Sequence, residues 1–248
     1  MPIAAIINKL AGAGYFPTTY KKGKAYEIWV YLNIFKILFQ RSKATGSAVS
    51  NVAFKNYTGA SLLNFPFVVR GSPGQIHSKH QASGKPSYVS FQINNQEYEL
   101  HIGVQFEGRS HALHEFDICV IPQAVGDHFR NLAKGSGSPK GHPRVGLELK
   151  NHAGNLDVGV PRGFLGAVFD CTNWGRPRIV SPISAFDNLG LNILGNNANA
   201  ALCIFTPTTL SRGASDYCSR YAIRGCTGTD LRNTRHLHDL VTWMEINL

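Results

Sequence analysis

Two short stretches, HEFDICVI at residues 114–121 and VGLELK at residues 145–150, decide how this chain folds. Both are largely apolar and lie between turn-forming residues, which predicts two strands. Successive side chains of a strand point to opposite faces, so Asp117 and Lys150 emerge from otherwise apolar segments. Burying such charges costs free energy unless they are paired or bind a metal ion. We therefore expect these strands to carry a functional site.

Strict alternation assigns the side chains of both strands to faces. On the first strand, Phe116, Ile118 and Val120 oppose Glu115, Asp117 and Cys119. On the second strand, Leu147 and Leu149 oppose Glu148 and Lys150. If the strands are neighbours, Asp117, Glu148 and Lys150 converge on one patch. Such a patch offers carboxylate oxygens for Mg²⁺ and a cation near an attacking water, which are the groups that phosphodiester hydrolysis needs.

The residues before these strands predict an antiparallel meander. Strands at residues 88–93, 97–105 and 113–121 are separated by Asn94 and Asn95 and by residues 107–109, both of which are turn signals. A helix at residues 24–39 carries one wide apolar stripe that should pack against a sheet. Weaker patterns predict helices at residues 3–10, 163–169 and 213–223, a strand at residues 200–205, and a further strand at residues 62–69.

The composition favours a globular protein with a polyanionic partner. Lys and Arg outnumber Asp and Glu by 25 to 15 in 248 residues, which gives a net charge of +10. That balance suits contacts with phosphates. The five cysteines include no C-x-x-C pair, which argues against a disulfide framework or a zinc knuckle. The apolar start of the chain is too short to span a bilayer, so we expect a cytoplasmic protein that does not bind membranes.

Several motifs together resemble the PD-(D/E)XK, or restriction-endonuclease-like, nuclease superfamily. HEFDICVI followed by VGLELK resembles its pattern of an Asp on one strand and Glu-x-Lys on the next, although Phe116 replaces the proline of the namesake motif. KKGKAYEIWVYLNIF at residues 21–35 resembles the helix that supplies a further acidic residue, here Glu27. ALCIFTPTTLSRGASDYCSRYAI at residues 201–223 resembles the strand and helix that follow the core in Mrr-like members.

This resemblance implies a three-layer α/β fold, with a mixed central β-sheet flanked by helices, as a single domain over residues 1–248. It also implies a DNA endonuclease that depends on Mg²⁺, with Mn²⁺ as a substitute and no small-molecule cofactor. Asp117 and Glu148 would ligate the metal, Lys150 would orient or activate the water, and Glu27 would complete the metal shell. Cutting both DNA strands usually needs two active sites, so we expect a homodimer.

The 31-position interval between Asp117 and Glu148 predicts an insertion between the two strands. Its content is a basic, Gly/Ser-rich segment at about residues 126–144, with a short helix and then a loop that we expect to follow the DNA backbone. The basic residues expected to contact DNA lie in this segment or near the site motifs. They are Lys22, Lys24, Arg130, Lys134, Lys140, Arg144 and His152.

Other interpretations remain open for several features. Glu148 and Lys150 alone would fit an ordinary charge pair on an exposed strand, Glu115 a strand-end salt bridge, and Glu27 a solvated helix position. Ten histidines raise the alternative of a histidine-based metal site, although no run places them at ligand spacing with carboxylates. For the whole chain, the alternatives are a non-catalytic basic nucleic-acid-binding protein on the same fold and a β-rich coat or scaffold protein.

Overall fold

Seven strands of the described residues form one mixed sheet, and their order across the sheet is their order along the chain. The computed structural model describes residues 22–60, 67–76, 86–131, 138–171, 200–230 and 232–248. Its strands are β1 (Val49–Lys55), β2 (Tyr88–Ile93), β3 (Gln96–Glu107), β4 (Leu113–Pro122), β5 (Val145–Leu149), β6 (Ala201–Phe205) and β7 (Arg224–Cys226). Its helices are α1 (Lys22–Arg41), α2 (Gln123–Asn131), α3 (Gly159–Cys171), α4 (Arg212–Arg220) and α5 (Arg235–Asn247). The predicted α/β class and mixed sheet are confirmed.

The first five strands pair antiparallel, whereas β5, β6 and β7 pair parallel. The meander predicted at residues 88–121 is confirmed as β2, β3 and β4. Asn94 and Asn95 have φ angles of 51° and 65°, the left-handed pair that a tight two-residue hairpin needs. Asparagine enters that region more readily than most residues, because its short side chain bonds to the local backbone. This turn sets the register of β2 against β3.

Helices cover both faces of the sheet. Alternate residues of β6 enter two separate apolar clusters, so the clusters lie on opposite faces. One cluster contains α1 and α5, and it includes Trp29, Val30 and Ile34 of the stripe predicted for α1. The other contains Phe164 and Leu165 of α3. The prediction that α1 packs against the sheet is therefore confirmed, as are the elements predicted at residues 163–169, 200–205 and 213–223.

β1 is not predicted from the sequence. Its pairing with β2 shifts register between Ser50 and Ala53, and Asn51 between them has a φ of 51°. A bulged strand with half-exposed side chains lacks the alternation by which strands are recognised. The strand predicted at residues 62–69 is not seen at residues 67–69, and residues 61–66 lie outside the described part. The helix predicted at residues 3–10 lies outside it as well.

The cysteines act as packing residues. All five are buried, and none forms a disulfide in the described structure. Cys203 packs in the cluster beneath α1, and Cys119 packs in the cluster beneath α3. The helices of the described ranges include none that is both long enough and apolar enough to cross a bilayer.

The long interval between β4 and β5 contains α2 and a segment that returns beside β3. The helix expected there is confirmed. In the return segment, the carbonyl of Pro139 accepts the backbone N–H of Glu107 at 2.8 Å. Residues 132–137, which include Lys134, lie outside the described residues. The helix and the return segment bring the chain back to β4, where β5 pairs with it antiparallel.

Arg130 of α2 forms ion pairs within the fold, and its role in DNA binding stays a prediction. Its guanidinium contacts both carboxylate oxygens of Glu99, one of them at 2.8 Å, and Asp127 at 2.6 Å. Glu99 is fully buried, so its charge requires this partner. The Arg130 guanidinium also lies 4.5 Å from the ring centre of Tyr88. Since the Arg130 side chain is 8% exposed, little of it is left to contact a phosphate.

Replacing Arg130 with Met should strongly destabilise the fold, because the buried Glu99 carboxylate would lose its guanidinium partner, although His101 Nε2 stays in contact with it at 2.8 Å. Removing one member of a buried ion pair typically costs about 3–5 kcal/mol, which urea denaturation can measure. The matched control is Asp127→Asn. Asp127 contacts the same guanidinium but is half exposed, so its loss should cost much less. An Arg130→Met protein as stable as the parent would contradict this structural role.

Candidate active site

The candidate site forms where β4 and β5 separate. The two strands pair only as far as Ile118 and Leu147. Beyond that point, Asp117 Oδ2 accepts the backbone N–H of Leu149 at 2.6 Å, where a paired strand would offer a carbonyl. β5 meanwhile continues beside β6 as far as Leu149. β4 and β5 therefore separate here, and the Asp117 carboxylate of β4 is hydrogen-bonded across the gap to β5.

The alternation predicted for β4 is wrong around Asp117. Phe116 lies in the same apolar cluster as Cys119, on the α3 side of the sheet, although alternation puts them on opposite faces. β3 changes face at the neighbouring position, since the residues on either side of Gly103 fall into opposite clusters. Gly103 itself has a φ of 61°. The irregularity belongs to the pairing of two strands, so the sequence of β4 alone does not predict it.

A cavity of about 500 Å³ lies between the separating strand ends and α3. Glu115, Asp117, Glu148 and Lys150 line it from the strands. Asp157, Gly159, Val160, Gly163, Phe164 and Ala167 line it from α3 and the turn before α3. The predicted convergence of Asp117, Glu148 and Lys150 is therefore confirmed, while their chemical roles stay predictions. The small residues of α3 leave the carboxylates accessible from that side.

Glu27 reaches the same region from the α1 layer. Its side chain is 13% exposed, so it is not a solvated helix position. Burial and the negative charge of Asp117 raise the pKa of Glu27, which means that the two carboxylates lie near each other. The Lys24 ammonium contacts the Glu27 carboxylate and partly offsets this rise. Lys24, expected to contact DNA, is in this structure the counter-charge of Glu27.

Glu148 and Lys150 form a charge pair at the end of β5, where the Lys150 ammonium contacts the Glu148 carboxylate. Burial and the charge of Asp117 raise the pKa of Glu148, and Lys150 only partly opposes them. Burial lowers the pKa of Lys150, but the charges of the surrounding carboxylates outweigh burial and the pKa rises. Lys150 therefore stays positively charged at neutral pH. Burial likewise raises the pKa of Asp117, although the Leu149 N–H counteracts it.

Glu115 is a site residue that sequence reasoning left aside. A strand-end salt bridge was expected for it, but within the described residues its carboxylate has no hydrogen bond or ion pair. Burial and the charge of Asp117 raise the pKa of Glu115 to about 7. The signal in the sequence was its position two residues before Asp117 on the same strand. A strand-end salt bridge was nevertheless the favoured interpretation, because charged residues near strand ends are usually exposed.

Two of the basic residues expected to contact DNA lie away from this cavity. Arg144 precedes β5, at the strand end opposite Lys150, and six residues of extended chain span about 20 Å. Lys140 lies beside β3, with its Nζ 3.8 Å from Glu107 Oε1. The positions of Arg144 and Lys140 therefore do not support a DNA-binding surface that these residues share with the cavity.

His152 follows Lys150 closely and is exposed in the turn before α3. Its Nδ1 accepts the backbone N–H of Gly154 at 3.2 Å, which leaves Nε2 directed elsewhere. Lys22 begins α1, but its side chain lies outside the described structure, as does Lys134 entirely. Of the basic residues expected at DNA, Lys24 therefore lies next to the site, and His152 follows Lys150 by two positions in the chain.

The carboxylates fit a divalent cation that is held together with water and phosphate. Within the described ranges, no three His, Cys, Asp or Glu side chains are close enough to enclose a metal ion. Mg²⁺ commonly takes only one or two protein carboxylates and completes its shell with water and substrate phosphate. Asp117 and Glu148 supply such a pair, and their raised pKa values indicate excess buried negative charge that a cation would relieve.

No protein-family model, no curated protein and no solved structure matches the chain. The function must therefore be argued from the chemistry of the site. Four carboxylates face two lysines there, namely Glu27, Glu115, Asp117 and Glu148 against Lys24 and Lys150. Asp157 also lines the cavity, so carboxylates outnumber lysines at this site.

The raised pKa of Glu115 predicts that stability depends on pH when metal is absent. Below about pH 7 the folded protein keeps a proton on Glu115, whereas the unfolded chain releases it near the ordinary value of 4.5. Because the folded state binds the extra proton, stability should fall as pH rises through this window. The melting temperature in EDTA at about pH 5 and about pH 8 measures the effect. Glu115→Gln should remove this part of the dependence.

The matched control for that experiment is Glu97→Gln, which removes a carboxylate from the exposed start of β3. Lys24, Glu27, Asp117 and Glu148 also face Glu115, and their contributions persist in the variant. The difference between the parent and Glu115→Gln therefore isolates Glu115. Identical pH profiles for these two proteins would show that Glu115 does not titrate in this range.

Proposed function

We propose that this protein is a divalent-metal-dependent DNA endonuclease that hydrolyses phosphodiester bonds. The observation that carries the proposal is that the buried carboxylate of Asp117 and the half-buried carboxylate of Glu148 lie with Lys150 where two strands separate. Carboxylates in excess over lysines favour a bound cation. A lysine beside such a cation can stabilise the negative charge that develops on a phosphate under attack.

The order of elements supports the restriction-endonuclease-like form of the α/β fold. α1 carries Glu27, the antiparallel meander carries Asp117, and the next strand carries Glu148 and Lys150. β6 then lies parallel to β5, and α4 follows it, over the residues that resemble Mrr-like members. This order agrees with the arrangement that the motifs imply.

In the proposed mechanism, Asp117 and Glu148 would hold Mg²⁺ or Mn²⁺, with Glu27 as a further acidic residue of the site. The cation would polarise the phosphate and lower the pKa of a bound water. Lys150 would orient that water, because its ammonium lies beside Glu148 at the mouth of the cavity. The Leu149 N–H fixes one oxygen of Asp117, which leaves the other oxygen for the cation.

DNA is the proposed partner, because the net charge of +10 favours a polyanion and the carboxylate site suits phosphate chemistry through a cation. Cleavage of both strands requires two such sites, so we propose that two copies act together on a duplex. The mass of the protein measured in solution, alone and with a short duplex, tests this part of the proposal.

A non-catalytic nucleic-acid-binding protein on the same fold is the second candidate. It is favoured by the lysines that already contact Glu27 and Glu148, because an ion-paired carboxylate is less available to a metal. Metal binding separates the two candidates, since only the enzyme requires it.

The central test compares Lys150→Ala with Asp117→Asn in plasmid cleavage and in thermal melts with Mn²⁺. Both variants should stop cleavage, since each removes a proposed catalytic group. Asp117→Asn alone should lose the rise in melting temperature that Mn²⁺ gives the parent, because a ligand bound only by the folded state stabilises it. In EDTA, Asp117→Asn should be at least as stable as the parent, because it removes one of several crowded negative charges.

The matched control is Arg212→Ala, which removes an exposed cation of α4 and should cut and melt like the parent. Undiminished cleavage by Lys150→Ala would remove the proposed active site. Equal stabilisation of the parent and Asp117→Asn by Mn²⁺ would show that Asp117 is not a ligand. A parent that binds DNA but gains nothing from Mn²⁺ would favour the non-catalytic candidate.

Two glycines of α3 test whether the substrate enters the cavity. An added Cβ would meet nothing within 4 Å at either Gly163 or Gly166, but only Gly163 lines the cavity. Replacing either by Leu should stabilise the helix by about 0.5–1 kcal/mol, because glycine is a poor helix former. Gly163→Leu alone should reduce kcat/KM, by roughly tenfold or more, since misplacing a substrate slightly has effects of that size. Equal activities for the two variants would place the substrate elsewhere.

A further inference from the structure

Three loops lie at one edge of the sheet, next to the candidate site. They connect β5 to α3, β6 to α4 and β7 to α5. Because β5, β6 and β7 are parallel, the three loops follow the same ends of their strands. Lys150 is the first residue of the loop after β5. In open α/β sheets, the carboxyl ends of the strands are where ligands usually bind.

Hydrogen bonds connect these three loops to one another. The Thr208 hydroxyl, after β6, donates to the Gly154 carbonyl, after β5, at 3.0 Å. The Thr229 N–H, after β7, donates to the Thr206 carbonyl, after β6, at 3.0 Å. The loop between β7 and α5 is therefore fixed relative to the loop that begins with Lys150.

The loop between β7 and α5 also contacts α1 where that helix carries Glu27. The Tyr26 hydroxyl donates to the carbonyl of Thr229 at 2.9 Å, and Thr229 is fully buried. Neighbouring strands lie about 4.8 Å apart, so β7 lies about 10 Å from β5. That distance corresponds to about three nucleotides of a DNA strand, which rises about 3.4 Å per nucleotide. A strand of DNA at the cavity could therefore reach this loop.

Two arginines at this loop have no partner for their charge. Arg232 and Arg235, the first residue of α5, are both exposed, and over the described ranges no carboxylate forms an ion pair with either guanidinium. The nearby Asp230 is held within the loop, since its Oδ1 accepts the backbone N–H of Arg232 at 2.8 Å. By contrast, Arg212 at the start of α4 lies 4.0 Å from Asp216, which offsets its charge.

We propose that Arg232 and Arg235 form a DNA-contacting surface beside the active site, where they bind backbone phosphates about three nucleotides from the bond that is cut. The inference rests on the proposed function, because it takes DNA to be the partner. Carboxylates outnumber lysines in the cavity itself, so the attraction for a polyanion must come from cations next to it. The planar guanidinium suits this role, because it can donate two parallel N–H groups to one phosphate.

The test measures the binding of a fluorescent duplex to the full chain by anisotropy, over a series of salt concentrations. The Lys150→Ala protein with Mg²⁺ is used, because it keeps the proposed carboxylates and should leave the duplex uncut. Adding Arg232→Gln and Arg235→Gln should reduce the slope of log affinity against log salt by about 1.8, since each phosphate contact contributes about 0.9. Lysine at both positions keeps the charges and should keep the slope.

The loss should be equal for duplexes of different sequence, because phosphate contacts carry no sequence information. The matched control removes two exposed charges elsewhere, with Lys36→Gln and Lys43→Gln. Lys36 lies nine residues beyond Glu27 along α1, or about 14 Å, and Lys43 lies farther still. This control should leave the slope unchanged.

An unchanged slope after the two arginine substitutions would overturn the surface. So would an equal loss in the lysine control, or a loss confined to one sequence. Any of these results with a parent that cuts plasmid in Mg²⁺ would leave the proposed function intact. A parent that cuts nothing, combined with the expected loss of slope, would overturn the endonuclease and support the surface. A protein that binds no duplex would overturn both.

Discussion

The hydrogen bond from the Leu149 N–H to Asp117 Oδ2 is the interaction on which the rest of the site depends. β4 and β5 stop pairing there, so a strand N–H and a buried carboxylate would both lack partners without it. A buried polar group left unsatisfied costs about 1–3 kcal/mol. Because the N–H and the carboxylate are hydrogen-bonded to each other, β4 and β5 can separate at this point without leaving either polar group unsatisfied. The opening is the space into which Glu148 and Lys150 project.

The charges around that opening come from different layers of the fold. Lys24 and Glu27 come from α1, whereas Glu148 and Lys150 come from the end of β5. Buried ion pairs contribute little to stability, since desolvation offsets most of their attraction. Raised carboxylate pKa values that cluster beside a cavity are more typical of sites that bind or transform a ligand. The arrangement therefore supports the proposed cation site better than it supports a purely stabilising role.

The features that were predicted correctly from the sequence are those that depend on neighbours in the chain, such as the apolar stripe of α1, the asparagine turn and the meander. The features that were missed depend on contacts between distant segments. Phe116 changes face where β3 has Gly103, and Arg130 turns inward because Glu99 is buried across from it. β1 becomes recognisable only through its pairing with β2. Spacing in the sequence contains no information about such partners.

The basic composition does not by itself locate a surface for DNA. Pairing all 15 acidic residues with basic ones would still leave 25 less 15, or ten, positive charges for a polyanion. At the proposed active site the sign is reversed, because four carboxylates and one lysine line the cavity. A phosphate approaching this cavity directly would be repelled, and a divalent cation would reverse that repulsion. Under the proposed function, the cation is therefore a condition for phosphate binding at the site as well as for hydrolysis.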